Sequence, residues 1–147
     1  MSTAPIHLSH NVSLLMYHFV CPAKYRRVVF DGTVEAELKD ICEQIELRYD
    51  IRFLEVGTDK DHVHFLIQSL PKFAPTQIIK TVKSITAKEI FARCPQVKKK
   101  LWGGEFWTDG YYVATVGRAE DTIRKYVQNQ GKEKEYEQLL VQQPELF

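Results

Sequence analysis

Cysteine is scarce in this 147-residue chain: only Cys21, Cys42 and Cys94 occur, with no Cys-x-x-Cys pair among them. An odd number at wide spacing speaks against a disulfide framework and for a reduced, cytoplasmic setting. Long apolar runs are missing too; none approaches the ~18 residues that a membrane span requires. The opening "MSTAPIHLSHN" lacks a basic stretch followed by an apolar core, so no signal peptide is expected. There is no internal repeat, low-complexity tract or linker, and one domain over residues 1–147 is expected. What is present is 44% apolar and 27% charged residues, the balance of a soluble globular chain long enough to bury a core.

Charge of one sign is nearly absent from the total, at net +1, but not from its parts. Residues 31–50 hold seven acids against two bases, net −5, and residues 72–101 hold eight bases against one acid, net +7. A basic segment of that size suits a polyanion, although such runs are most often solvated faces; charge alone leaves both open.

Hydrophobic periodicity gives the element order. "VSLLMYHFV" (12–20) is almost wholly apolar and reads as a central strand buried on both faces. "CPAKYRRVVFDGT" follows as a connector with Lys24, Arg26 and Arg27. Val34, Leu38, Ile41, Cys42, Ile45 and Tyr49 form one helical face, with the acids off it. "IRFLEVG" (51–57) and residues 62–69 read as a hairpin joined by "TDKD". A second helix is expected from Pro75 to Arg93, with Ile78, Val82 and Ile85 buried and Lys80, Lys83 and Lys88 on the opposite side. "KKKLWGGEFW" (98–107) reads as a loop and "GYYVATVG" (110–117) as a fourth strand. A third helix, about 119–130, ends at Gly131, before a polar tail (132–147). This β-α-β-β-α-β order is the ferredoxin-like α+β sandwich: four antiparallel strands, two helices on one face and the other face left open.

The stretch "TDKDHVHFLIQSL" (58–70) carries the chemistry. Strand alternation puts His62, His64, Leu66 and Gln68 on one face and Val63, Phe65, Ile67 and Ser69 on the other. The second set is the more apolar and should meet the helices, which leaves both imidazoles on the open face about 7 Å apart at Cα. Rings so placed can converge on one cation, but His-x-His alone is a weak motif. Asp59 and Asp61 could add negative charge nearby but read first as turn residues; His18 could lie near such a cation, but among apolar neighbours of its phase it reads first as a structural histidine. Tyr126 and Gln130, four apart, share one face of the third helix; taken alone they read as a core aromatic and a solvated helix end.

In combination these pieces resemble a known family. His-hydrophobic-His on a central strand, the ferredoxin-like order and Tyr-x-x-x-Gln on a following helix are similar to the HUH single-strand nucleases. The similarity is greatest to their single-tyrosine branch, small transposases that move insertion sequences as single-stranded DNA. "YHFVCPAKYRR" (17–27), "TDKDHVHFL" (58–66), "GYYVATVG" (110–117) and "YVQNQ" (126–130) carry the resemblance, over about residues 12–131. The "CPAKYRR" connector departs from the commonest form by one extra residue, which leaves the exact placing of Lys24 and Arg26 open.

The resemblance implies Tyr126 as nucleophile, a covalent 5′-phosphotyrosine intermediate, and Mg²⁺ or Mn²⁺ held by His62, His64 and Gln130. It also implies single-stranded DNA hairpins as substrate and a homodimer in which the tyrosine helix of one subunit completes the site of the other, with Gly117 as a permitted hinge. The chemistry is consistent: a phenol with pKa about 10 is a poor nucleophile near neutral pH and needs a polarised phosphate. Gln is a weak, neutral ligand, which does not suit a structural zinc site. Lys24, Arg26, Arg27, Lys80, Lys83, Lys88 and Lys98, Lys99 and Lys100 are the candidates for phosphate contact. Trp102, Phe106, Trp107, Tyr111 and Tyr112 are either base-stacking surfaces or core. Two other functions remain in view: a domesticated relative acting on repetitive hairpin elements, and a non-catalytic ferredoxin-like nucleic-acid-binding module.

Overall fold

The computed structural model describes residues 6–8, 11–13, 15–101 and 103–116. Tyr126, Gln130, the expected third helix, Gly117 and Trp102 lie outside the described residues. The strands are β1 (Ile6–Leu8), β2 (Asn11–Ser13), β3 (Leu15–Pro22), β4 (Arg52–Thr58), β5 (His62–Ser69) and β6 (Tyr112–Val116). The α-helices are α1 (Gly32–Arg48), α2 (Pro75–Arg93) and α3 (Pro95–Lys100). Strands β4-β5-β3-β6 form one antiparallel sheet in that order, and β1 and β2 pair as a separate ribbon. This is the expected ferredoxin-like arrangement, because the first strand lies between the third and the fourth.

The first strand begins later than residue 12. Its partner β5 ends at Ser69, opposite Leu15, so residues 11–13 have no neighbour in the main sheet and pair with 6–8 instead. At the other end the strand extends through Cys21 and Pro22, which the sequence assigns to the connector, because β5 continues opposite them to His62.

Helix α1 starts at Asp31, whose carboxylate accepts a bond from the Val34 amide at 2.9 Å, a side-chain cap for an otherwise orphan donor. Val34, Leu38, Ile41, Cys42 and Ile45 are buried along it. Tyr49, expected on that face, is the extended residue after the last turn and is partly exposed. Helix α2 opens on Pro75, and Gln77 accepts from the Ala74 amide at 2.8 Å. Its buried side is Ile78, Ile79, Val82, Thr86 and Ile90. Residues 98–100 are not loop. Pro95 starts a further short helix, Val97 and Leu101 bury one turn apart, and three lysines sit at its C-terminal, negative end. No helix among the described residues is long and apolar enough to cross a membrane.

The helices and one sheet face enclose the core. Tyr17, Phe19 and Cys21 of β3, Val63, Phe65 and Ile67 of β5, and Phe53 and Val56 of β4 meet the apolar sides of α1 and α2. Phe106 and Trp107 close one end, with ring centroids 4.6 Å apart. Thr86 fastens Trp107 to α2: the indole Nε1–H donates to Thr86 Oγ1 at 3.0 Å, and that hydroxyl donates to the Val82 carbonyl. Met16, His18, Leu66, Gln68, Ala114 and Val116, on the opposite face, are buried too. That face is therefore not the open surface expected; its apolar members need cover as much as the core does.

Thr86→Val keeps the shape of the side chain and removes the acceptor. It should leave the Trp107 N–H unsatisfied in the core and cost about 1–3 kcal/mol. Urea denaturation reads this as a lowered midpoint at constant slope; an unchanged midpoint would mean that the indole finds another partner.

Candidate functional site

The pairing of β3 with β5 places Pro22 opposite His62, Val20 opposite His64 and His18 opposite Leu66. All these residues lie on the face turned away from α1 and α2. His62 is 6% exposed, His64 4% and His18 2%. Three imidazoles therefore gather where the sequence suggested two.

They form a chain of close polar contacts. Nδ1 of His62 lies 2.8 Å from Asp61 Oδ1, its Nε2 lies 3.1 Å from Nε2 of His64, and Nδ1 of His64 lies 3.3 Å from Nε2 of His18. The His18 and His64 rings stack, with centroids 5.5 Å apart and planes 9° from parallel. Asp61 is held from outside by Arg26, whose Nε donates to Oδ2 at 2.9 Å. The connector also grips the Asp61 backbone, since the Ala23 amide donates to the Asp61 carbonyl at 2.8 Å, while Val29 and Phe30 donate to Lys60 O. Tyr25 and Arg26 adopt left-handed backbone angles (φ 59° and 53°) in the turn that brings Arg26 back over Asp61.

Electrostatics follow from burial. Desolvation alone pushes His18 down to about 4. Desolvation, helped by the neighbouring His18 and His62, holds His64 well below the usual histidine range. Both are neutral at physiological pH, the form that coordinates metals. Burial pulls the Asp61 carboxyl upward, but hydrogen bonds from Arg26 and His62 outweigh it and leave it below its ordinary value. An ionised Asp61 accepts only, so Nδ1 of His62 carries a proton, and in the neutral ring Nε2 presents a lone pair toward His64.

Such a carboxylate–imidazole pair is the usual backing of a metal ligand. Two nitrogens at ~2.1 Å from one ion in adjacent octahedral positions are about 3 Å apart, so the 3.1 Å between the two Nε2 atoms suits a shared cation. His18 meets His64 through the far nitrogen and is no third ligand to that position. Among the described residues, no group of three His, Cys, Asp or Glu side chains is arranged to hold an ion; His62 and His64 supply two donors.

A family model described as "Transposase IS200 like" matches residues 11–130. The chain belongs to the IS200-like transposase family. It is 36% identical over 119 residues to the ISDra2 transposase TnpA of Deinococcus radiodurans, covering 79% of this chain and 84% of that one. It is 31% identical over 138 residues to the transposase for insertion sequence element IS200 of Salmonella typhimurium, covering 93% and 91%. Among solved structures, it matches a crystal structure from Deinococcus radiodurans R1 assigned as a transposase, at TM-score 0.69 and 29% identity, over 85% of this chain and 97% of the other. A REP-associated tyrosine transposase bound to a REP hairpin shares the fold at TM-score 0.55 and 12% identity, over 77% and 62%. Membership makes this chain a DNA-processing enzyme of the transposase class.

The transposase distributes its expected cations unevenly. Lys24 pairs with Glu105 at 2.7 Å, Arg26 binds Asp61, and Arg27 is exposed; all three sit at the His62 end of the sheet. Lys80 and Lys88 are exposed on α2, across the sheet from the imidazoles, and Lys98, Lys99 and Lys100 are exposed on α3. Lys83 has a second task. Its ammonium donates to the carbonyls of Thr108 (2.6 Å), Asp109 (3.2 Å) and Gly110 (3.3 Å), so it ties a loop to α2. Trp107 and Phe106 are core, whereas Tyr112 is exposed.

Asp61 and His18 stood in the sequence as possible neighbours of the histidines, below a structural reading. Asp61 read first as turn chemistry because nothing local says which way its carboxylate points. His18 is 46 residues from His64, and only the strand register makes them diagonal neighbours. That diagonal is the signal that places His18 beside the pair.

Because His18 is held near 4 when folded against 6.5 unfolded, the unfolded chain takes up a proton below 6.5 that the native protein refuses. Native stability should fall progressively down to about pH 4, by on the order of 3 kcal/mol for a gap of that size. His18→Phe removes this loss. Urea denaturation of chelator-treated protein should show the variant gaining on the wild type as pH drops from 6.5 to 4; parallel curves would mean that His18 is not buried neutral.

Proposed function

We propose that this transposase cleaves and rejoins single-stranded DNA at hairpin-bearing transposon ends through a covalent 5′-phosphotyrosine intermediate formed by Tyr126. The observation that supports it most is the close approach of two imidazoles, His62 and His64, backed by an ionised Asp61, in a chain of this family. These two histidines with Gln130 would hold Mg²⁺ or Mn²⁺. The bound ion would polarise a non-bridging phosphate oxygen and fix its orientation, the help that a phenol nucleophile needs.

The chain's own residues do the rest. The Tyr126 oxygen attacks the scissile phosphorus and gives its proton to solvent; the P–O3′ bond breaks, and the departing 3′-oxygen takes a proton from solvent to leave as a hydroxyl. The bond energy is kept in the phosphotyrosine, so a second 3′-hydroxyl can attack it, restore Tyr126 and join new strands without ATP. Arg27 and Lys24 lie at the His62 end of the sheet, where they would meet phosphates near the cleavage point. Lys80, Lys88 and Lys98–Lys100 would meet the arms of the hairpin. The structural neighbour bound to a REP hairpin supports a hairpin substrate for this chain. We further propose a homodimer in which the tyrosine helix of one protomer serves the histidines of its partner.

Incubation with labelled hairpin DNA and Mn²⁺ should give an adduct that survives denaturation. Tyr126→Phe should abolish it. His64→Ala, or removal of the metal by EDTA, should reduce cleavage at least about a hundredfold while hairpin binding survives. An adduct formed by Tyr126→Phe, or efficient cutting of fully paired DNA, would sink the proposal.

Replacing Lys98, Lys99 and Lys100 together with Gln should weaken hairpin binding and flatten the dependence of log Kd on log salt by about 2. An unchanged slope would remove α3 from the DNA surface.

A further inference from the structure

The contacts of His64 leave one proton undecided, and His18 decides it. A neutral imidazole has a single N–H. If His64 carries it on Nε2, that nitrogen bonds to His62 and cannot take a metal. If His64 carries it on Nδ1, the N–H is shared with His18 Nε2, 3.3 Å away, and His64 Nε2 keeps a lone pair 3.1 Å from His62 Nε2, able to take a metal.

We propose that His18 is a positioning residue of the transposase: its Nε2 accepts the Nδ1 proton of His64 and its ring fixes the plane of His64, so that the His64 Nε2 lone pair stays directed toward His62. The assignment rests on His62 and His64 being the metal ligands. Four observations support it. His18 is diagonal to His64 across β3 and β5, a distance that two imidazoles can bridge. Their rings are parallel within 9°. Both are almost wholly buried, which keeps competing water from the bond. On the other side of the pair, Asp61 does the same for His62 from the same ring position, Nδ1. Each ligand thus has its own acceptor behind it, one a carboxylate on the adjoining turn and one an imidazole on the neighbouring strand. An acceptor of either kind orients the ring and raises its basicity as a ligand. The neutral acceptor suits the deeper position, since a second carboxylate at that depth would carry a large desolvation cost.

The test separates this assignment from the metal proposal. Imidazole ¹⁵N shifts in the metal-free wild type report the tautomer directly: His64 is expected as Nδ1–H, and an Nε2–H signal would overturn the assignment whatever the protein's activity. His18→Phe keeps a stacked ring and removes the acceptor; His64 should then lose its Nδ1–H preference and Mn²⁺ affinity, by titration calorimetry, should drop about 10–100-fold. His18→Gln, which restores an acceptor, should recover most of the affinity. If His18→Phe leaves both the tautomer and the affinity unchanged, His18 is only packing. If His18→Phe fails to fold, the wild-type tautomer and the His18→Gln affinity still decide. A wild type that shows the expected tautomer but binds no Mn²⁺ would instead reject the metal proposal and leave the hydrogen bond standing.

Discussion

The antiparallel pairing of Leu15–Pro22 with His62–Ser69 is the constraint on which the rest depends. It joins the centre of the sheet and fixes which residues face the helices. A slip of one residue would turn His62 and His64 into the layer now held by Val63, Phe65 and Ile67, and would bring these apolar side chains to the other side. Core and site therefore share one specification: the energy gained by burying Phe19, Phe65 and Ile67 against α1 and α2 is also what aims the imidazoles away from them.

Around that pairing the protein builds a graded polar path. It starts at exposed Arg26, passes through an ionised Asp61, and ends at His18, which is 2% exposed. Charge sits at the wet end and neutral groups at the dry end, the order in which burial costs least. The strained turn at Tyr25 and Arg26 and the backbone bonds from residues 23–30 to the 58–61 turn hold the outer end still. A site assembled from strand side chains and a clamped turn keeps its shape better than one on a free loop, which is what an enzyme needs if it must hold a phosphate in line for attack.

The opposed charges of residues 31–50 and 72–101 partly meet each other. Arg93 of α2 bonds Glu37 and Asp40 of α1 at 2.9 and 2.7 Å, so some of the acidic and basic excess fastens the two helices. Lys83 ties a loop to α2. The remaining cations lie on two sides of the sheet: a cluster near the histidines and a set on α2 and α3.

Much was legible from the chain alone. The 62–69 and 75–93 elements follow the expected boundaries because alternation and a proline start are local signals. The same alternation assigns the histidines to the face away from the core, and the ferredoxin-like order follows from the sequence of elements. Boundaries went astray where a partner decides them. The first strand starts at Leu15 because β5 ends opposite it, and residues 95–100 are helical because Val97 and Leu101 find core to bury in. Which side chain lies behind each imidazole was settled only by tertiary structure. Sequence spacing determines which residues share a face, since that depends on backbone geometry over a few residues; which side chain meets His64 depends on the register between strands 46 positions apart, and only the folded core sets that register.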